Sequence, residues 1–201
     1  HAGAKNILKL PTVIDLEKYA SIPPNYKKNK NFTIGWIGSP STTKYLEILK
    51  EPLAELGLKI PILLYLVGAD INYDISIDNI EIVSIPWSEK NEQEALKVFD
   101  VGVMPLYDNP WEKGKCAFKL IQYMASFLPV VASDVGMNAE IINNYNNGFV
   151  AKNSGDWFNF FYMVYSRPKL RAEMGLKGRD IVEKNFTIQS RLAEFENFVS
   201  N

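Results

Sequence analysis

Short apolar runs of strand length recur along this chain and alternate with segments of helical period. FTIGWI (32–37), ILLYLV (62–67), residues 80–85, VGVMPL (101–106), residues 129–132 and GFVA (148–151) read as strands. Between them, Leu46, Leu49 and Leu53 stand at helical spacing within about 43–56, with Pro52 inside and Gly57 as the stop. Ser88 caps a second helix, expected over 89–99, with Glu89, Glu92 and Glu94 near its positive end. Alternation of this kind, about six times over, predicts an α/β fold: a Rossmann-like parallel sheet with helices on both faces. Ligands of such sheets sit beyond the carboxyl ends of the strands. The loops at that edge are 38–43, 68–70, 86–88, 107–119 and 133–139.

One of these loops runs into the segment KCAFKLIQYMASFLPVVAS (115–133), a polar-faced helix leading to a buried strand. Lys115, Lys119 and Gln122 are spaced i, i+4, i+7 and would share one helix side. Leu120, Ile121, Met124 and Ala125 supply the packed side. Two ammonium groups and a carboxamide at a loop–helix junction suit an anionic, hydroxyl-rich ligand, and a nucleotide-sugar is one. A solvated helix face accounts for the same spacing. The turn Gly38-Ser39-Pro40-Ser41-Thr42-Thr43 leaves a strand for a helix, a place where N–H groups meet oxyanions. It holds only Gly35-x-x-Gly38, which a plain strand–helix turn explains as well.

Composition excludes several chemistries. Hydrophobic residues make up 47% of the chain, enough for a packed core, and the net charge of −1 offers no grip on nucleic acid. No apolar run is long enough to span a bilayer, and no secretory signal opens the chain. The single cysteine, Cys116, rules out an internal disulfide and every multi-cysteine metal site, and fits a reducing, cytoplasmic setting. The single histidine is His1, so a Ser-His-Asp triad, a zinc-histidine cluster and an internal histidine base are all absent.

Residues 1–30, with Pro23-Pro24 and Lys27-Lys28-Asn29-Lys30, read as an interdomain linker or entry segment. Residues 31–185 form the expected domain and 186–201 a terminal helix. Gly175 and Gly178 are expected to interrupt the helix that Pro168 starts. The aromatic helix 156–165 reads as core or as a contact surface.

GKCAFKLIQYMASFLPVVASDVGMNAEII resembles the signature region of retaining glycosyltransferases of the GT-B fold, family four, the glycosyl transferases group 1. WIGSPSTTKYLEIL, LYLVGAD and FDVGVMPLYDNPW resemble that family's donor domain in order and spacing, and LPTVIDLEKY its entry segment. The resemblance covers about residues 10–200 and only the C-terminal, donor-binding half. It implies transfer from a nucleotide-diphosphate sugar to a glycan or lipid-linked acceptor, without metal or other cofactor. An N-terminal acceptor-binding domain would be the partner. Membrane association, at the inner face, would reside in that other half.

The family's usual basic pair for the diphosphate is not evident after the first strand; Lys44 is nearby, but Lys115 and Lys119, each near the opening of a helix, are the better candidates for the catalytic cations facing the leaving diphosphate. Gly38 and Ser39 would offer backbone N–H groups to it. Trp87 would stack on the base or belong to the core. Phe118 and Gln122 would line the donor, and Gly136 and Asn138 would lie near the sugar. Two family glutamates fall here on Gly114 and Gln122, so the first carboxylate is absent and the second is an amide that can still hydrogen-bond ribose hydroxyls, without charge assistance. Glu112, Asp108 and Asp134 are the nearest acids, each read as an ordinary surface acid. Two rivals stand beside this reading. One is a non-catalytic α/β nucleotide- or protein-binding module. The other is a sugar-nucleotide epimerase, which needs acid/base residues not evident here.

Overall fold

The computed structural model describes residue 3, residues 6–19 and residues 30–200. Residues 20–29 of the expected linker, with Pro23-Pro24 and Lys27-Lys28-Asn29, lie outside them. The strands are β1 (Phe32–Ile37), β2 (Ile62–Val67), β3 (Glu81–Ile85), β4 (Val101–Met104), β5 (Val130–Ser133) and β6 (Gly148–Ala151). All pair in parallel in one sheet, in the order β3-β2-β1-β4-β5-β6. The order reverses between β1 and β4, so the carboxyl ends of these two strands border a crevice.

The helices are α1 (Glu47–Gly57), α2 (Glu89–Leu96), a single turn α3 (Pro110–Lys113) and α4 (Phe118–Ala125). Then come α5 (Met137–Tyr145), α6 (Ser154–Ser166), α7 (Pro168–Asn185) and α8 (Ile188–Val199). One sheet face is covered by α1 and α6, through Leu49, Leu53, Trp157 and Phe161. The other is covered by α2, α4, α5 and α7, through Leu96, Leu120, Met124, Ile142 and Val182. Apolar side chains on both faces explain why these strands read as continuous hydrophobic runs. The expected Rossmann-like sheet with helices on both faces is therefore the observed one.

Three local expectations are corrected. The helix expected from Lys115 begins at Phe118, because Ala117 has φ 54°, in the left-handed region. Lys115 thus lies outside α4 and shares no helix face with Lys119 and Gln122. The helix expected from Thr43 opens as a 3₁₀ segment, Pro40–Leu46, and continues as α1 straight through the buried Pro52. Gly175 and Gly178 do not interrupt α7. They face the end of α4: a Cβ on Gly175 would lie 2.0 Å from the Phe127 carbonyl oxygen. These glycines let two helix backbones approach, so the missing side chains serve packing rather than breakage.

The entry segment is joined to the C-terminal end of the domain. Ile14 donates its N–H to the Phe186 carbonyl at 2.8 Å, and Ile14 and Phe186 are both buried. Trp157 and Phe161 of the aromatic helix are core, whereas Tyr162 remains 46% exposed. Among the described residues, no helix is long and apolar enough to cross a membrane.

Candidate functional site

The crevice is shaped by the turns that follow β1, β2 and β3 and by the approach to α4. Gly68 has φ +80°, and a Cβ there would stand 2.4 Å from the Gly38 carbonyl oxygen. Glycine therefore allows the β2 turn to lie against the β1 turn. Beyond them a cavity of about 830 Å³ opens between Ser39, Asp70, Ile85 and Trp87. A second cavity, of about 500 Å³, lies on the other side of the β1 turn and reaches Lys115, Lys119 and Gln122. Gly38, Ser39 and Trp87 line both, so the two adjoin and together make a trough along this edge.

Lys119 is half-buried on the first turn of α4, with its ammonium 5.8 Å from the centre of the Trp36 ring. No carboxylate pairs with it among the described residues. Burial, and next the charge of Lys115, lower its pKa to about 8. Lys115 lies on the loop before α4, 4.4 Å from the centre of the Tyr45 ring, and donates to Tyr45 Oη at 3.2 Å. Its pKa is also lowered, by burial, and Glu112 opposes the shift.

Behind Lys115 stands a buried relay. Tyr45 Oη donates to Glu112 Oε1, and the two residues are 4% and 3% exposed. Burial, reinforced by that bond, pushes the Tyr45 pKa up to about 12. The same bond lowers the Glu112 pKa. Asn109 positions Glu112 by accepting its N–H at 3.2 Å. Glu112 therefore aims the tyrosine, and the tyrosine oxygen steadies the lysine.

Of the residues singled out from the sequence, Gly38, Ser39, Trp87, Lys115, Phe118, Lys119 and Gln122 line the second cavity together. Gly136 and Asn138 do not. Gly136 abuts the backbone of Lys113, and Asn138 is 1% exposed with its amide donating to the Ser133 carbonyl at 3.4 Å. The expected phosphate amides are already committed. Gly38 N–H donates to the Val67 carbonyl at 2.9 Å and Ser39 N–H to Thr42 Oγ1 at 3.1 Å. Of the groups singled out from the sequence, the Ser39 hydroxyl and the two lysines are left to meet an anion here. Trp87 is 59% exposed, so it is a wall of the trough and not core.

Gln122 lines the cavity, but its N–H donors are committed within the protein. Its Nε2 donates to Tyr19 Oη at 3.1 Å and to Glu92 Oε1 at 2.8 Å. Glu92 and Tyr45 were both missed as site residues. Glu92 reads from the sequence only as a carboxylate suited to a helix N-terminus. Tyr45 falls within the helix expected over about 43–56 and carries no signal of its own there. Their signal is tertiary, since each acts across dozens of residues. Among the described residues, no group of three His, Cys, Asp or Glu side chains is close enough to hold a metal ion.

A six-stranded parallel sheet with this strand order, with helices on both faces, is that of a Rossmann-like domain. The sequence profile of the family described as Glycosyl transferases group 1 matches residues 31–160. The chain belongs to that family. No curated protein matches it.

Solved structures share the fold. Anabaena Alr3699/HepE in complex with UDP and glucose superposes with a TM-score of 0.70 at 15% identity, covering 94% of this chain and 55% of that one. S. aureus TarM, in complex with Fondaparinux, alpha-GlcNAc-glycerol and UDP, gives 0.70 at 20% identity, covering 99% and 40%. The C-terminal domain of a group 1 family protein (LpcC) from Francisella tularensis gives 0.61 at 18% identity, covering 90% and 96%. This chain thus spans about half or less of the two longer proteins. At these identities the likeness establishes the GT-B type of fold.

Proposed function

We propose that this chain is the donor-binding domain of a retaining glycosyltransferase. It takes a hexosyl nucleotide-diphosphate sugar for transfer to a glycan or lipid-linked acceptor. The observation that carries this reading is the trough itself. A large cavity suited to a base adjoins, at Gly38, Ser39 and Trp87, a second one lined by two lysines that form no ion pair among the described residues. A half-buried cation without a counter-ion is costly, and a diphosphate removes that cost. The structural likeness to a protein solved with UDP and glucose supports the same assignment.

The mechanism follows from charge. Breaking the bond from sugar to diphosphate leaves negative charge on the departing oxygen. Lys119 and Lys115 face that charge from a partly desolvated wall, where each interaction counts for more than in water. The Glu112–Tyr45 relay holds the Lys115 ammonium on station. The donor is the substrate, and this reading assigns neutralisation of the diphosphate to the lysines and no role to a cofactor. The acceptor is presented by an N-terminal domain, so the isolated chain binds nucleotide without transferring sugar. The reading places the enzyme in the cytoplasm, with any contact to the inner membrane face made by the acceptor half.

Calorimetric titration with UDP, GDP and their monophosphates tests the assignment. The expected result is tighter binding of one diphosphate over its monophosphate, with that advantage reduced about tenfold or more by Lys119→Ala or Lys115→Ala. Equal affinity for mono- and diphosphate, unchanged in both variants, would overturn it. Robust sugar transfer by the isolated chain would overturn the division of labour.

A further inference from the structure

Glu92 belongs to no expectation drawn from the sequence motifs, yet its carboxylate lines the same cavity as Lys115 and Lys119. It is held at two points. Oε1 accepts from Gln122 Nε2 at 2.8 Å, and Oε2 accepts from Trp87 Nε1 at 2.9 Å. Both donors are neutral, and no ion pair forms on Glu92 among the described residues. Each carboxylate oxygen keeps acceptor capacity after these bonds. The charge is thus fixed in place, not cancelled.

A carboxylate fixed in a cavity that attracts anions weakens anion binding unless the ligand also donates hydrogen bonds to it. The occupant must therefore carry both an anionic group for the lysines and hydroxyl donors for Glu92. Position narrows the choice further. Trp87, which holds Glu92, lines the large cavity and the lysine cavity alike, so the carboxylate stands where they meet. In a nucleoside diphosphate, the group between base and diphosphate is the ribose, with its vicinal 2′ and 3′ hydroxyls.

We propose that Glu92 is the residue that selects a ribonucleotide, by accepting hydrogen bonds from the ribose diol. The inference rests on the donor-binding reading above. Gln122 stands where the family places a glutamate, but both of its N–H donors are used by Tyr19 and Glu92. Those bonds make the amide a positioning residue for Glu92, only its neutral carbonyl oxygen remains as an acceptor, and the charge it lacks is supplied from α2. A hydrogen bond to a charged acceptor is stronger than one between neutral groups, so the arrangement restores charge-assisted recognition at a site whose own motif has lost it.

The test compares UDP and GDP with their 2′-deoxy counterparts, by calorimetry on the chain and on Glu92→Gln. The wild type should prefer the ribonucleotide of the bound base by about tenfold or more. Glu92→Gln should cut that preference to about threefold or less, while the advantage of diphosphate over monophosphate persists. Trp87→Phe keeps the ring but removes one of the bonds that aim the carboxylate. It should also reduce the preference, and it carries the test if Glu92→Gln does not fold. Equal binding of ribo- and deoxyribonucleotide by wild type, or a preference unchanged in both variants, would overturn the role of Glu92 and leave the donor reading intact. Failure of the folded wild type to bind either ribonucleotide would overturn both.

Discussion

The backbone N–H of Ile37, at the end of β1, donates to the phenolic oxygen of Tyr123 at 2.9 Å. Tyr123 lies on α4, four residues after Lys119, and is fully buried. This bond fastens the helix that carries the half-buried lysine to the strand that feeds the Gly38–Ser39 turn. The phenol also donates to the Val103 carbonyl at 3.4 Å, so it bridges β1 and β4 at the switch in strand order. Two sides of the trough are thereby set by one side chain. Burial raises the pKa of this phenol, so it stays a neutral donor and acceptor at any physiological pH.

Tyr123→Phe should destabilise the domain and loosen the site together. The substitution leaves the Ile37 N–H buried without its acceptor, a loss of about 1–3 kcal/mol. Urea denaturation should show a lower midpoint with an unchanged slope. Nucleoside diphosphate affinity should fall as well, because Lys119 and the β1 turn lose their common anchor.

Binding of a nucleoside diphosphate should weaken as pH rises through about 8, where Lys119 loses its proton in the free protein. The diphosphate favours the charged lysine, so binding takes up a proton in that range. Below it, the affinity contribution of Lys119 is flat. Lys119→Arg keeps the charge at all accessible pH and should extend the plateau upward. Calorimetry in buffers of different ionisation heat would count the proton directly.

Tyr45→Phe removes the donor that satisfies the buried Glu112 carboxylate. Glu112 has a folded-state pKa held below its ordinary value of 4.5, chiefly by that bond. Its contribution to stability is therefore present above the unfolded pKa and lost as pH falls through the folded one. The variant should be less stable at pH 7, and its stability should change less with pH below 4.5 than that of wild type. Denaturation midpoints measured from pH 7 to pH 3 would show both effects.

Gly175→Ala should be disruptive despite the higher helix propensity of alanine. The added methyl would lie 2.0 Å from the backbone oxygen of Phe127, which is not a flexible group. Separating α7 from α4 costs about 1–3 kcal/mol by the usual measure of overpacking. A lower thermal midpoint than wild type checks this. A higher one would mean that propensity outweighs the clash.

Much of the architecture was legible because it rests on local periodicity. ILLYLV and VVAS are too apolar for a half-exposed strand, and Gly57 and Pro168 mark helix limits that the structure respects. Where a residue's meaning depends on a distant neighbour, the reading faltered. Gly175 looks like a helix breaker until Phe127 is seen against it. Lys115 looks helical until the left-handed Ala117 ends the pattern.

The sequence by itself determined the parallel α/β sheet, the loops at its carboxyl edge and the cations that reach that edge. Short-range spacing and hydrophobic pattern suffice for this, since each strand and helix carries its own signal. Only the tertiary structure decided which polar groups are free to meet a ligand. It committed the Gln122 N–H donors to Tyr19 and Glu92 and the Gly38 N–H to Val67, and brought Glu92 from α2 into the trough. Hydrogen-bond partners dozens of residues apart along the chain are chosen by packing, and no local pattern encodes them.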